Sequence, residues 1–373
     1  MATENNNKTL NVPNLRFPEF SGEWERCSLG EITTNFSRRN KEEVRYPMFS
    51  VTNNRGFVPQ SEQFEDREMV GEDIKAYKII HKNDFAYNPA RINVGSIAKY
   101  NGNEPCMISS LYVCFTADKR LDNEWLIQLL KTPKMNFYYN INGEGGVRVY
   151  LFYPNFARIK TAFPSLQEQQ KISSFLALLD ERIATQIKII EKLESLIKGL
   201  CQKLIQQGNP NTALNEALVC YSSTLQESSV QEAGDYPVFG ATGVCGYTDA
   251  PEVDGDSILI IKDGASVGVT YYASGRYSAI GTLNRLVAKS GYSLRYLYYC
   301  LKVFNFAPYR TGLAIPHIYF RDYGKAKVWC PSLDEQQRIA DALTKVEQKI
   351  AIEKSLLEQL YSQKRFLLQT MFI

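Results

Sequence analysis

Nothing in the 373-residue chain comes near the roughly 18 consecutive apolar residues of a membrane-spanning helix, and the opening Met1–Asn7 is polar. Neither a membrane span nor a secretory leader is therefore expected. Histidine is nearly missing: His81 and His317 are the only two, too few for a histidine-based metal site. The eight cysteines are scattered and include no C-x-x-C pair, so they read as reduced, mostly packed thiols of a cytosolic protein rather than disulfides or zinc ligands. A Walker A loop is absent, which excludes that phosphate cradle. Excess charge is lacking too. A net +3 neither demonstrates a nucleic-acid partner nor excludes one whose contacts gather on one face. The hydrophobic share of 44% and charged share of 22% are ordinary for a soluble globular protein, and the length suits about two to three domains.

What the chain does have is a repeat. Pro164-Ser165-Leu166-Gln167-Glu168-Gln169-Gln170-Lys171-Ile172 recurs in the second half as Pro331-Ser332-Leu333-Asp334-Glu335-Gln336-Gln337-Arg338-Ile339. Each copy sets a serine three positions before a glutamate, a capping box that opens a helix. Apolar residues then recur at Ile172, Leu176, Leu179, Ile183, Ile187, Ile190, Leu193, Ile197, Leu200 and Leu204, every step being three or four. That period near 3.6 predicts one long amphipathic helix. The second stripe, Ile339, Leu343, Val346, Ile350, Leu357, Leu360, Leu367 and Met371, follows at the offset of the repeated motif, with Lys354 and Lys364 standing where Ile187 and Ile197 stand in the first. Each helix of about 40 residues would run about 60 Å. Two such stripes bury themselves most economically against each other, although a long helix lying across its own domain is the plainer alternative. The two lysines fit either a snorkelling role or a partner-facing one.

Each helix follows a globular unit, and the two units echo each other more faintly: Tyr46-Pro47-Met48-Phe49 against Tyr236-Pro237-Val238-Phe239, and Ile108-Ser109-Ser110-Leu111 against Ile280-Gly281-Thr282-Leu283. The organisation is then an extension over 1–20, a globular unit over 21–163, a helix over 164–208, a second unit over 209–330 and a second helix over 331–373. Within the first unit Ile108–Phe115 reads as a strand, and Asp122–Leu130 as a short helix with an aspartate cap.

Catalytic signatures are weak. Asn88-Pro89-Ala90-Arg91 lacks the second proline and the aromatic that an adenine methyltransferase uses to hold its target amino group, and reads as a loop. Gly240, Gly243 and Gly246 do not follow G-x-G-x-x-G. Asp254, Asp256 and Lys262 are better explained by a turn entering the buried run Ile258–Ile261 than by a nuclease cluster.

This order of parts, together with Pro13-Asn14-Leu15-Arg16-Phe17-Pro18-Glu19-Phe20 followed by Trp24, resembles the specificity subunit of type I restriction–modification systems. The resemblance implies an α+β fold: two pseudo-symmetric globular α/β target-recognition domains separated by two long antiparallel coiled-coil helices. It implies a non-catalytic reader of a bipartite double-stranded DNA site, with the helices setting the unread gap. It also implies two methyltransferase subunits as partners and, in some complexes, two motor–nuclease subunits, all in the cytoplasm of a bacterium or archaeon. S-adenosylmethionine, ATP and magnesium would belong to those partners and no cofactor to this chain.

Reading base edges requires Arg, Asn, Gln, Ser or Thr on loops, and phosphates require Lys, Arg and small polar donors. In the first unit the candidates are Ser50, Thr52, Asn53, Asn54, Arg55, Asn88, Arg91, Asn93, Ser110 and Arg148. In the second they are Thr242, Lys262, Ser266, the loop Thr282–Arg285 with Thr282, Asn284 and Arg285, then Arg310 and His317. Each could instead be a solvated loop residue. A protein–protein scaffold without DNA and an enzyme acting alone remain the alternatives; only DNA binding would weaken steeply with salt.

Overall fold

A computed structural model describes residues 11–63, 74–145, 149–312 and 314–373. Residues 1–10 of the N-terminal extension and Arg148 lie outside the described residues. The chain divides into two compact units, Met1–Thr185 with Leu357–Ile373, and Gln186–Leu356. Each unit therefore holds one globular domain and a part of each long helix. Among the described residues no helix is long and apolar enough to cross a membrane.

In the first unit an antiparallel sheet runs in the order Thr33–Phe36, Val113–Ala117, Phe85–Tyr87, Ile97–Lys99. The second unit repeats that order with Leu218–Ser222, Leu283–Ala288, Ser257–Ile261 and Thr270–Ala273. A second sheet repeats as well. Tyr236–Gly240 pairs with Gly243–Thr248 and, in parallel, with Arg276–Ala279. In the first unit Phe49–Thr52 pairs with Gly56–Pro59, and the parallel contact shrinks to a single Met48–Met107 bridge. Central strands such as Ser257–Ile261 are buried at every residue, which is why they read as continuous apolar runs. Ile108–Phe115 is not one strand, however. Cys106–Ile108 and Val113–Ala117 belong to different sheets, and the polar Ser109-Ser110 turn separates them. Part of the tyrosine content is core: Tyr87, Tyr139, Tyr277, Tyr296, Tyr299 and Tyr323 are among the largest fully buried side chains. The cysteines are all free, and burial pushes the Cys106 and Cys114 thiols up to about 12, far from reactive thiolates.

Four helices organise the rest. Helix α1 (Asn123–Leu130) starts at Asp122, whose carboxylate accepts from Trp125 N at 2.7 Å. Helix α2 spans Leu166–Ile205, α3 spans Leu294–Val303 with Ser293 as its cap, and α4 spans Leu333–Thr370. The repeated motif explains how each long helix is fastened. Gln169, fully buried, accepts from Asp122 N at 2.7 Å and donates to Pro164 O at 2.9 Å and Arg120 O at 3.1 Å. Gln336, 2% exposed, accepts from Ser293 N at 2.9 Å and donates to Pro331 O at 2.9 Å. In both repeats the glutamine ties the N-terminus of the preceding short helix to the start of the long one, satisfying an orphan amide.

The capping boxes are one-sided. Glu168 N donates to Ser165 Oγ at 3.4 Å, but the Glu168 carboxylate does not reach back. It receives Arg16 Nε and Nη2, each at 2.7 Å, and Trp24 Nε1 at 3.3 Å. A buried carboxylate takes a cation before it takes one more backbone amide. Glu335, its repeat counterpart, stands 4.0 Å from exposed Arg338.

Within the second unit, Cys201 and Ile205 of α2 share one core with Ile339 and Leu343 of α4 and with Tyr296–Leu301 of α3. Nearer the middle of each helix, Gln186 meets Glu353, so the two segments run antiparallel. Fully burying a leucine such as Leu343 contributes about 1.5–3 kcal/mol. The seam lysines are ion-paired across the helices: Lys354 with Glu194 at 2.6 Å in this unit, Lys364 with Asp180 in the first.

Candidate nucleic-acid interface

Three loops converge in the first unit. Thr52 Oγ1 donates to Gly56 O at 3.1 Å and accepts from Arg55 N at 3.0 Å, so the turn displays Asn53, Asn54 and Arg55 as exposed side chains. Ser50, on the preceding strand, accepts from Gln60 Nε2 at 3.1 Å. The neighbouring loop is bound to this turn by Ser96 Oγ, which donates to Val51 O at 2.7 Å. Gly95 has φ +100°, and a Cβ there would lie 2.9 Å from Asn53 O, so the close approach requires glycine. Arg91 is exposed at the tip. Asn88 is committed locally, its Oδ1 accepting from Ala90 N at 3.0 Å, and Asn93 donates to Asn140 Oδ1 at 3.0 Å.

The third loop is closed by two main-chain bonds of 2.8 Å between Glu144 and Tyr150, and Leu151 N donates to Pro89 O at 2.9 Å. Ser110 is exposed on a turn whose Tyr112 hydroxyl accepts from Val51 N at 3.2 Å. A cleft of about 360 Å³ beside Arg55 is lined by Asn54, Phe57, Lys99, Tyr100 and Asn101 among others. Its aromatic and basic walls were not legible as a group, because Arg55 and Lys99 lie on segments that meet only in the fold. Arg55 stands 3.6 Å from Glu62 with both side chains more than half exposed, a weak pairing.

The second unit repeats the arrangement. Thr311 and His317 close a loop by two main-chain bonds, 2.9 and 2.7 Å, and Ile318 N donates to Lys262 O at 3.0 Å. Thr311, His317 and Ile318 follow Glu144, Tyr150 and Leu151 at the same offset that separates the two helix motifs. Extending that offset upstream would have exposed this equivalence; divergent side chains hide it. Lys262 N donates to Thr282 O at 3.0 Å and Gly264 N to Pro316 O at 2.9 Å, drawing the loops together. His317 Nδ1 lies 2.7 Å from Asp263 Oδ1, which orients the imidazole. Arg310 reaches Val267 O at 3.2 Å, Ser266 is exposed, and Thr242 is exposed on the turn before Gly243.

Thr282–Arg285 is not a loop. Leu283–Ala288 is a strand of the central sheet, because Leu283 and Leu286 are buried and pair with Ile261 and Ile258. Thr282 precedes it half-buried, with an unpartnered hydroxyl. Asn284 is 5% exposed and meets Ser222 Oγ at 3.0 Å, and the Arg285 guanidinium lies 4.3 Å over Tyr221. Among the described residues no group of three or more His, Cys, Asp or Glu is placed to hold a metal ion.

The comparisons with known proteins agree with this two-part plan. The family described as type I restriction modification DNA specificity domain matches residues 22–195 and 221–362. The chain is 26% identical over 117 residues to the type I restriction enzyme EcoprrI specificity subunit of Escherichia coli, covering 31% of this chain and 29% of that one. It is 22% identical over 213 residues to the putative MjaX specificity subunit of Methanocaldococcus jannaschii, covering 54% and 50%. The matches thus span half or less of these curated relatives. In fold it is similar to the crystal structure of a type I restriction–modification S subunit from M. genitalium, with TM-score 0.64 at 18% identity over 97% of this chain and 99% of that one. The family match takes in both repeats and most of the chain, and this protein belongs to the type I restriction–modification DNA specificity family.

Proposed function

We propose that this chain is the sequence-specificity subunit of a type I restriction–modification complex, each loop cluster reading one half of a bipartite double-stranded DNA site. The observation that carries the reading is the pair of similar loop clusters, one in each unit, whose closing loops keep the repeat offset while their polar side chains differ. The first offers Asn53, Asn54, Arg55 and Arg91 for base or phosphate contact, the second Thr242, Lys262, Ser266, Arg310 and His317. The scaffold is shared and the readers differ, as recognition of two unlike half-sites requires. The long helices would hold two methyltransferase subunits and, where restriction occurs, motor–nuclease subunits, in the cytoplasm. S-adenosylmethionine, ATP and magnesium would be used by those partners, and this chain would position DNA without catalysing a step.

The test is to express the chain with its methyltransferase subunits and map modified adenines genome-wide. One bipartite motif is expected; modification without a shared motif would reject the reading. Within that motif, Arg55→Ala is expected to relax one position of one half-site by about 1–3 kcal/mol if the guanidinium grips a guanine. A loss of affinity uniform across sequences would make Arg55 a phosphate contact instead.

A further inference from the structure

Gln186 and Glu353 occupy the same place in the two copies of the repeat, and they touch. When two copies of one helix pack antiparallel, a single position meets its own equivalent, and this is that position. Gln186 Nε2 donates to Glu353 O at 3.1 Å and also to the Glu353 carboxylate. The residues are 6% and 7% exposed, in a stripe that is apolar apart from Lys354 and Lys364, which are ion-paired with Glu194 and Asp180. Lys349, one turn earlier on α4, is ion-paired with Glu353. On α2 the flanking charged side chains, Arg182 and Lys188, are exposed. Arg182 is the repeat counterpart of Lys349.

We propose that this amide–carboxylate pair is a selectivity lock by which α4 accepts α2 and rejects the α4 of a second copy of the chain. The pairing is complementary in one combination only. An amide facing a carboxylate donates both its hydrogens. Two copies of α4 in the same geometry would set Glu353 against Glu353, like charges in a poorly solvated seam that cannot both ionise freely. Two copies of α2 would set amide against amide, which is tolerated. A single polar residue in an otherwise apolar helix seam can fix register and partner in this way. The lock needs one carboxylate and one amide, and either helix can carry the carboxylate, because Arg182 stands ready to serve it on α2 as Lys349 does on α4.

The two profiles with pH have opposite sign. Glu353 is held below its ordinary value near 4.5 by Lys349 and then by Gln186. Its contribution to stability is present above that ordinary value and lost as pH falls through the lowered one. In Gln186→Glu the two facing carboxylates raise each other, so the defect is present above the ordinary value and relieved as pH falls.

The experiment uses the full chain in four forms, followed by thermal unfolding from pH 4 to pH 8. Gln186→Glu is expected to melt about 5 °C below the wild type at pH 7.5, with the gap narrowing toward pH 4. The exchange variant Gln186→Glu/Glu353→Gln is expected to return to within about 2 °C of the wild type. Glu353→Gln is expected to stay folded but, refolded at high concentration, to show by light scattering at least about twofold more dimer than the wild type. A pH-independent defect in Gln186→Glu, an exchange variant as unstable as the single one, or no gain in dimer for Glu353→Gln would each overturn the lock.

Discussion

Arg16→Ala is expected to destabilise the first unit by roughly 3–5 kcal/mol, the cost of stranding one half of a buried ion pair. The Glu168 side chain is 1% exposed and Arg16 meets both its oxygens at 2.7 Å, while Trp24 Nε1 supplies only a 3.3 Å contact. Removing the guanidinium leaves a desolvated carboxylate at the start of α2. It also frees the carbonyls of Ser21 and Gly22, which Arg16 binds at 3.2 and 2.6 Å. Arg16→Lys should recover only part of the loss, since an ammonium cannot match the two-point geometry. The control is in the repeat itself: Glu335→Ala removes an exposed side chain with a 4.0 Å partner and should change stability by less than about 0.5 kcal/mol. Urea unfolding followed by tryptophan fluorescence is the measurement. Trp24 and Trp125 both sit in the first unit, ring centroids 6.0 Å apart. A loss below about 1 kcal/mol for Arg16→Ala would show that Glu168 is solvated well enough without its cation.

Gln169→Leu is expected to cost the first unit roughly 2–4 kcal/mol, and Gln336→Leu a similar amount in the second. Leucine fits the volume but abandons the Asp122 amide and the carbonyls of Pro164 and Arg120 in one case, and the Ser293 amide and the Pro331 carbonyl in the other. Gln169→Glu separates hydrogen bonding from packing. It keeps the acceptor for Asp122 but turns an oxygen toward two carbonyls, so it should be no better than leucine. Backbone exchange at Asp122 and Ser293 checks the local effect. Unchanged protection at Asp122 in Gln169→Leu would mean the α1 cap holds without the clamp.

The long helices were legible because their apolar period persists unbroken from Ile172 to Leu204 and is stated twice, which a strand or loop cannot imitate. The role of the glutamines was not. The motif shows that Gln169 recurs as Gln336, but their partners lie far upstream and are main-chain atoms with no sequence signature. Glu168 was misread as a cap for a related reason: the box is local, whereas Arg16 belongs to the distant start of the chain. Short apolar runs were the other weakness. Ile108–Phe115 merged two strands and Thr282–Arg285 became a loop, because the pattern does not say which sheet a residue joins. Of the candidate site, Asn53, Asn54 and Arg55 were readable as a polar turn, while the contact between Gly95 and Asn53 needed coordinates.

The Glu144–Tyr150 and Thr311–His317 closures each rest on two peptide-group bonds, to which the Thr311 hydroxyl adds a 3.4 Å bond to His317 O. A fastening made mostly of backbone is largely indifferent to the side chains it carries, so exposed positions such as Ala314 and Ile315 can vary without loosening the frame, whereas Gly145 and Gly312, both at positive φ, must stay glycine. A library randomised at such exposed positions, with those glycines kept, should therefore remain largely foldable. New target preferences could then be drawn from a handful of codons while every other part of the molecule stays as it is.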